Sequence, residues 1–267
     1  MRVEDLTGRS VFALARGDDG HHFEIEPEPV MVPCEKEGCF KEYEKKGIED
    51  PRITELNGTY YIMYTAVSPY GSLLALAKTT DFTNFERIAL VSEPENKDGV
   101  LFPAKVNGKY ARLDRPVAGG LGNIWISYSE DLITWGHSRV VMTIRDDHWD
   151  SWRIGASCQP IRTEDGWPVI YHGAKMTAGG PIYRLGAAVL AADDPSKVLC
   201  RTAIPILTPR EYYERVGDVN NVVFSCGAIL EDDGRELKIY YGASDTSICL
   251  GLANVNELMQ FCTIGEH

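Results

Sequence analysis

Two short patterns alternate along this chain, and an alternation of that kind restricts the fold more than any single predicted strand does. The first is a glycine followed by aromatic and β-branched residues: Gly58-Thr-Tyr60-Tyr61-Ile62-Met63-Tyr64, Gly166-Trp167 through Tyr171-His172-Gly173, Gly234 through Ile239-Tyr240-Tyr241-Gly242, and a weaker copy at Gly108-Lys109-Tyr110. Each reads as a turn feeding a strand. The second is a small-residue strand, an acidic turn and often an aromatic. It occurs as Val11–Ala15 before Asp18 and Phe23, Leu74–Ala77 before Asp81 and Phe85, and Ile124–Tyr128 before Asp131 and Trp135. Leu185–Leu190 before Asp193 and Cys249–Ala253 are weaker copies.

The acidic turns at 18, 81, 131 and 193 are 63, 50 and 62 residues apart. Such steps suit four-stranded propeller blades with loop insertions, whereas a β-sandwich turns every 8 to 12 residues or so without a longer period. Strong helical periodicity is absent between the copies. The second pattern occurs five times and the first four times, with no copy ahead of residue 8. The expectation is therefore an all-β, five-bladed β-propeller forming a single domain over residues 1–267, with the first blade incomplete at the N-terminus. The segment 31–47, rich in Glu and Lys, reads as a solvated loop.

Composition narrows the partners. Lysine and arginine total 27 against 39 aspartates and glutamates, a net charge of -12, so neither a nucleic acid nor an anionic membrane is expected as a partner. Hydrophobic residues make up 44%, enough for a sizeable core. Seven cysteines without a CxxC pair argue for reduced thiols and a cytoplasmic protein. No apolar run suits a membrane helix. The histidines His21, His22, His137, His148 and His267 lack ligand-like spacing, so no metal is expected.

Chemistry concentrates in a few runs. Asp50 precedes Pro51 and Arg52 at the mouth of a strand, where proline fixes the backbone. Alone, such a tripeptide is usually a surface turn with a local ion pair. In the same way Lys97 alone reads as a solvated charge, Arg115 as a partner of Asp114, Arg153 as a strand cation and His172 as a core imidazole.

Taken in order, however, Glu49-Asp50-Pro51-Arg52-Ile53, Asn96-Lys97-Asp98-Gly99-Val100-Leu101-Phe102-Pro103, Asp114-Arg115-Pro116, Trp152-Arg153-Ile154-Gly155-Ala156, Tyr171-His172-Gly173, Tyr183-Arg184-Leu185-Gly186, Gly217-Asp218-Val219 and Tyr240-Tyr241-Gly242-Ala243 with Asp245-Thr246 resemble the motifs of glycoside hydrolase family 130. The resemblance runs from about residue 8 to the C-terminus. It implies a five-bladed propeller that phosphorolyses a β-mannoside with inversion, giving α-mannose 1-phosphate. Inorganic phosphate would be the co-substrate and no other cofactor is implied.

By the same resemblance Asp50 is the general acid, passing its proton through a mannose hydroxyl to the glycosidic oxygen. Lys97, Arg115, Arg153 and His172 form the phosphate-binding set, with Arg153 where the family commonly has lysine. Asp245 binds the mannosyl unit, and Tyr183, Asp218 and Tyr240 are weaker candidates for sugar contacts. Cys158, Gln159, Asn220 and Ser225 depart from the glycine and prolines common in the family.

Phosphorolysis needs one acid and a cluster of cations, whereas inverting hydrolysis needs a second carboxylate roughly 6.5 to 9.5 Å away to activate water. Two other readings stay open: a β-mannoside hydrolase, and a propeller that binds sugar without turnover. Oligomerisation is expected on the ground that it would cover an unpaired sheet edge.

Overall fold

Strand β6 (Thr59–Ser68) shows how the sequence builds the molecule: side chains alternate between its two faces, and both faces are buried. Ile62, Tyr64 and Ala66 pack towards Phe12 and Met31, while Met63 packs the other way with Leu74, Leu76 and Leu101. A sheet buried on both sides reads as a nearly continuous apolar run, which is what the glycine-aromatic copies supply.

The computed structural model describes the backbone of residues 1–264 and side chains through 262; His267 lies outside the described residues. The N-terminal strands are β1 (Arg2–Glu4), β2 (Ser10–Phe12), β3 (Ala15–Arg16) and β4 (Glu24–Ile25), paired as antiparallel hairpins β1–β2 and β3–β4. Helix α1 (Cys39–Tyr43) follows. Next comes an antiparallel meander of β5 (Gly47–Leu56), β6, β7 (Gly71–Thr79) and β8 (Glu86–Leu90).

A second meander has β9 (Asn96–Leu101), β10 (Tyr110–Ala118), β12 (Ile124–Ser129) and β13 (Trp135–Met142), with the two-residue β11 (Leu121–Gly122) folded back from β10. A third has β14 (Arg153–Ala156), β15 (Trp167–Thr177), β16 (Gly180–Leu190) and β17 (Val198–Arg201). After the short α2 (Tyr212–Arg215), the last sheet is β18 (Val223–Leu230), β19 (Glu236–Ala243) and β20 (Ser247–Asn254), followed by α3 (Val255–Ile264).

The chain is thus nearly all-β, as expected. The glycine-aromatic copies are the second strands of the four meanders (β6, β10, β15, β19), and four of the five small-residue copies are the third strands (β7, β12, β16, β20), whereas Val11–Ala15 spans the end of β2 and the start of β3 and forms no third strand. The core is a series of layers between successive sheets. Leu113 and Ile126 meet Ile154, Val169 and Leu190 across one interface; Ile170, Leu185 and Val189 meet Val223, Leu237 and Ile239 across the next.

Two local expectations change. The turn acids are confirmed at Asp81 and Asp131, whose Oδ1 atoms accept backbone N–H bonds from the residues two and three further on. In the other two copies it is the second acid of each pair, Asp19 and Asp194, that takes this role, because the side chain must reach forward to the turn. The segment 31–47 is not simply a solvated loop. Its Glu44 is fully buried, accepting from Tyr64 Oη at 2.6 Å, Arg87 Nη2 at 2.8 Å and the Cys34 backbone N–H at 2.7 Å.

First and last sheets meet through polar groups. Lys238 Nζ donates to the Asp19 carbonyl at 3.1 Å, Tyr240 Oη to the Gly20 carbonyl at 2.8 Å, and the Phe23 and Tyr240 rings stand edge to face at 5.7 Å.

Candidate active site

The first and second strands of the sheets carry most of the candidate residues, and Asp50 sits where β5 is irregular. The register with β6 slips between Glu49 and Arg52, and Asp50 takes a left-handed backbone (φ 52°). Aspartate tolerates that region better than most residues, and a bulge re-aims the side chain it carries. Arg52 locks the bulge from beneath. It is buried, and its guanidinium donates to the Asp50 carbonyl (3.1 Å), the Ser157 carbonyl (3.0 Å) and the Ala156 carbonyl (3.1 Å), as well as to Asp98 Oδ1 (3.0 Å). Asp50 is thereby tied to β14, which is more than 100 residues away in sequence.

Burial pushes the Asp50 carboxyl above the ordinary aspartate range, against the pull of Arg52 and Arg2. Arg2, on β1, lies 3.7 Å from Asp50 Oδ1 and 3.7 Å from Asp245 Oδ2, bridging the two acids. Asp245 is also left-handed (φ 53°), and burial raises its pKa in opposition to Arg2. Asp218 lies close enough to Asp245 to contribute to that shift; its loop is held by a bond from the Asp218 backbone N–H to Thr246 Oγ1 at 3.2 Å.

The cations assemble around a further acid. Asp98, also left-handed (φ 58°) and almost fully buried, accepts from Arg52 on Oδ1, from Arg115 Nε on Oδ2 at 2.5 Å, and faces His172 Nε2 at 3.4 Å. Burial alone would raise its pKa, but Arg115, His172 and Arg52 outweigh it and hold the carboxylate well below the usual range. Burial lowers the pKa of His172, opposed by Asp98. The imidazole packs 4.6 Å from the Phe224 ring and 6.1 Å from the Tyr183 ring.

Arg153 stacks on Trp152 at 3.5 Å and lies near Tyr183, whose hydroxyl pKa burial raises against the pull of Arg153. Gly122 separates Arg115 from Arg153, since a Cβ there would meet both side chains, and β11 pairs with β14 at Gly122 and Arg153. Lys97 lies opposite Arg115 in the β9–β10 ladder, with Nζ 3.2 Å from Glu49 Oε2.

The structure therefore brings together Asp50, Lys97, Arg115, Arg153, His172, Tyr183, Asp218 and Asp245. It does not bring Tyr240 to them: the hydroxyl and ring of Tyr240 are engaged by the β3–β4 turn. Arg115 pairs with Asp98 instead of Asp114, which binds Arg112 Nε at 2.9 Å. Sequence reasoning missed Arg2, Arg52 and Asp98 as parts of the site. Arg52 and Asp98 stand inside the motif runs, so the signal for them was present; nothing local marks Arg2.

The arrangement is a protonatable carboxyl facing a clustered set of cations with one buried, saturated acid at its centre. A model of the family described as β-1,4-mannooligosaccharide phosphorylase matches residues 3–264. The chain belongs to glycoside hydrolase family 130. It is 43% identical over 256 residues to β-1,2-mannobiose phosphorylase of Listeria innocua, covering 95% of this chain and 69% of that one. It is 33% identical over 266 residues to β-1,4-mannooligosaccharide phosphorylase of Ruminococcus albus, covering 98% and 78%. The solved structure of the Listeria enzyme with β-1,2-mannobiose superposes with a TM-score of 0.89 at 42% identity, covering 97% of this chain and 71% of that one.

Proposed function

We propose that this family 130 chain phosphorolyses a β-mannoside with inversion, releasing α-mannose 1-phosphate and a shortened acceptor. The observation that carries this reading is the division of labour between two acids linked through Arg52: the partly exposed Asp50 and the buried Asp98. Asp50 has a raised pKa and is able to hold a proton, while Asp98 is ionised and saturated by Arg52, Arg115 and His172. An inverting hydrolase would need a second carboxylate free to activate water, whereas Asp98 is committed to its three partners, Glu49 to Lys97 and Asp245 to Arg2. Clustered cations suit a phosphate nucleophile.

In this reading the mannosyl C1–O bond breaks as a phosphate oxygen attacks C1 from the opposite face. Asp50 supplies the proton taken up by the leaving oxygen, through a mannose hydroxyl. Lys97, Arg115, Arg153 and His172 hold the phosphate, and Arg2, Asp245, Tyr183 and Asp218 hold the mannosyl unit. Three four-stranded meanders, the first extended by the β1–β2 hairpin pairing onto β5, one three-stranded sheet and the separate two-stranded β3–β4 sheet support a five-bladed propeller whose β3–β4 unit is the smallest.

Identities of 43% and 33% to the two relatives put β-1,2-mannobiose first and β-1,4-mannosides second among substrates to try. The purified protein is incubated with each, with and without inorganic phosphate. Phosphate-dependent α-mannose 1-phosphate is the expected product. Phosphate-independent release of mannose would replace this reading with hydrolysis, and binding without turnover would replace it with a sugar-binding propeller.

A further inference from the structure

Lys97 and Arg115 stand directly opposite each other on β9 and β10, so two of the cations assigned to phosphate are neighbours before any phosphate arrives. Like charges facing each other across a ladder repel, and each is answered by a carboxylate of the protein itself. The two answers differ in kind. Arg115 is held by Asp98, a side chain 2% exposed that Arg52 and His172 also engage. Breaking a buried pair of that sort leaves an uncompensated charge and is strongly disfavoured. Lys97 is held by Glu49 at 3.2 Å, its one hydrogen bond among the described residues, and the two side chains are 33% and 23% exposed. A pair that open to solvent contributes little to stability, so its partners exchange at small cost.

Glu49 also adjoins the acid. It is the last residue of β5 paired with β6 before the irregularity that carries Asp50. Its charge acts on Asp50, on Arg2 and on Asp245. Asp50 is faced by Glu49 and Arg52 from its own strand, by Arg2 from β1, by Asp98 from β9 and by Cys226 from β18. We propose that Glu49 is a positioning residue with two settings: it neutralises Lys97 until a phosphate dianion displaces it, and once released it leaves an uncompensated negative charge beside Asp50 that favours the protonated acid. The dianion wins Lys97 because a charge-assisted hydrogen bond strengthens with the charge of the acceptor. Phosphate binding thereby readies the acid when the nucleophile is in place. The inference rests on the phosphorylase reading and adds to it a link between the phosphate half and the acid.

The test titrates inorganic phosphate, without sugar, into the wild-type protein and into Glu49→Gln by calorimetry, and then measures pH profiles of turnover. Glu49→Gln keeps the shape and removes the charge, so phosphate no longer competes for Lys97. It should bind about threefold to fivefold more tightly, the worth of one partly exposed ion pair, and the gain should shrink as ionic strength rises. In turnover the KM for phosphate should fall by the same factor while the KM for the mannoside moves less than about twofold. The variant also loses the charge that favours protonated Asp50. Since turnover falls as pH rises through the pKa of that acid, the alkaline limb should move to lower pH, opposite to the effect of removing the charge of Arg2.

A residue that only steadied Lys97 would behave otherwise: its removal would weaken phosphate and leave the alkaline limb in place. Phosphate binding unchanged or weaker in Glu49→Gln, or an alkaline limb that stays or moves to higher pH, would overturn the inference. Glu49→Ala, which loses the whole carboxylate, should show both shifts in the same directions and carries the test should Glu49→Gln fail to fold. Absence of α-mannose 1-phosphate from the wild-type reaction would instead overturn the phosphorylase reading. The calorimetric titration needs no turnover, so the two failures are distinguishable.

Discussion

Three aspartates at the centre of the molecule, Asp50, Asp98 and Asp245, share a left-handed backbone, and their neighbours give them different chemistry. Asp50 and Asp245 are raised by burial; Asp98 is lowered by three partners. Because the reaction needs protonated Asp50, turnover should fall as pH rises through its elevated pKa. Asp50→Asn removes the proton and almost no volume, so turnover of an unactivated mannoside should vanish with the thermal midpoint within about 2 °C of wild type. Near-normal turnover would take the acid role away from Asp50. Arg2 opposes the raised pKa, so Arg2→Ala should move the alkaline limb of the pH profile to higher pH while raising the KM for the mannoside. An alkaline limb moving to lower pH would show that the Arg2–Asp50 pair does not govern the acid. Asp50 was legible in the sequence because Pro51 and Arg52 adjoin it. Arg2 was not, since its partners lie 48 and 243 residues further on and no local pattern encodes a contact that long.

At the scale of the element, the strands were legible and the segments that tie them together were less so. Glycine, aromatic and β-branched runs announced β6, β10, β15 and β19, whereas α1 and α3 carry no strong periodic signal and were not anticipated. The segment between β13 and β14 is a case where packing, and not local pattern, sets the conformation. It carries Asp150, fully buried, whose carboxylate accepts from Arg145 Nη2 at 2.8 Å, Arg201 Nη2 at 2.6 Å and Tyr171 Oη at 2.9 Å. Trp149 stacks on Tyr171 at 5.5 Å beside it, and Arg153 follows three residues later. Asp150→Ala leaves two partly buried guanidinium groups without their counter-charge, at a cost on the order of 3 kcal/mol. Tyr171→Phe removes one hydrogen bond, at about 1 kcal/mol. Chemical denaturation should rank the variants in that order. Because the same segment aims Arg153, Asp150→Ala should also weaken phosphate more than mannoside. Equal loss of both would make the network a support of the fold alone.

On the scale of the whole molecule, the N-terminal and C-terminal sheets are joined by contacts of a different kind from those between the other sheets. Successive inner sheets share apolar layers, but this junction is made by Lys238 and Tyr240 reaching the backbone carbonyls of Asp19 and Gly20, by the Phe23–Tyr240 ring contact, and by Arg2 between Asp50 and Asp245. Tyr240 is a sequence candidate for the sugar contacts as one of an adjacent tyrosine pair of which only one can present a stacking face; strand alternation sends Tyr241 into the core against Glu214 and leaves Tyr240 to the junction. The two assignments predict different outcomes. If Tyr240 belongs to the junction, Tyr240→Phe should keep the ring contact, lose one hydrogen bond worth about 1 kcal/mol, and leave the KM for β-1,2-mannobiose within about twofold of wild type. Tyr240→Ala, which also removes the ring, should destabilise by a further 2 kcal/mol or so and loosen the β3–β4 turn, seen as faster amide exchange at Gly20 and His21. A large rise in KM for Tyr240→Phe at unchanged stability would return Tyr240 to the sugar site and place the closure of the molecule on Lys238 and Arg2.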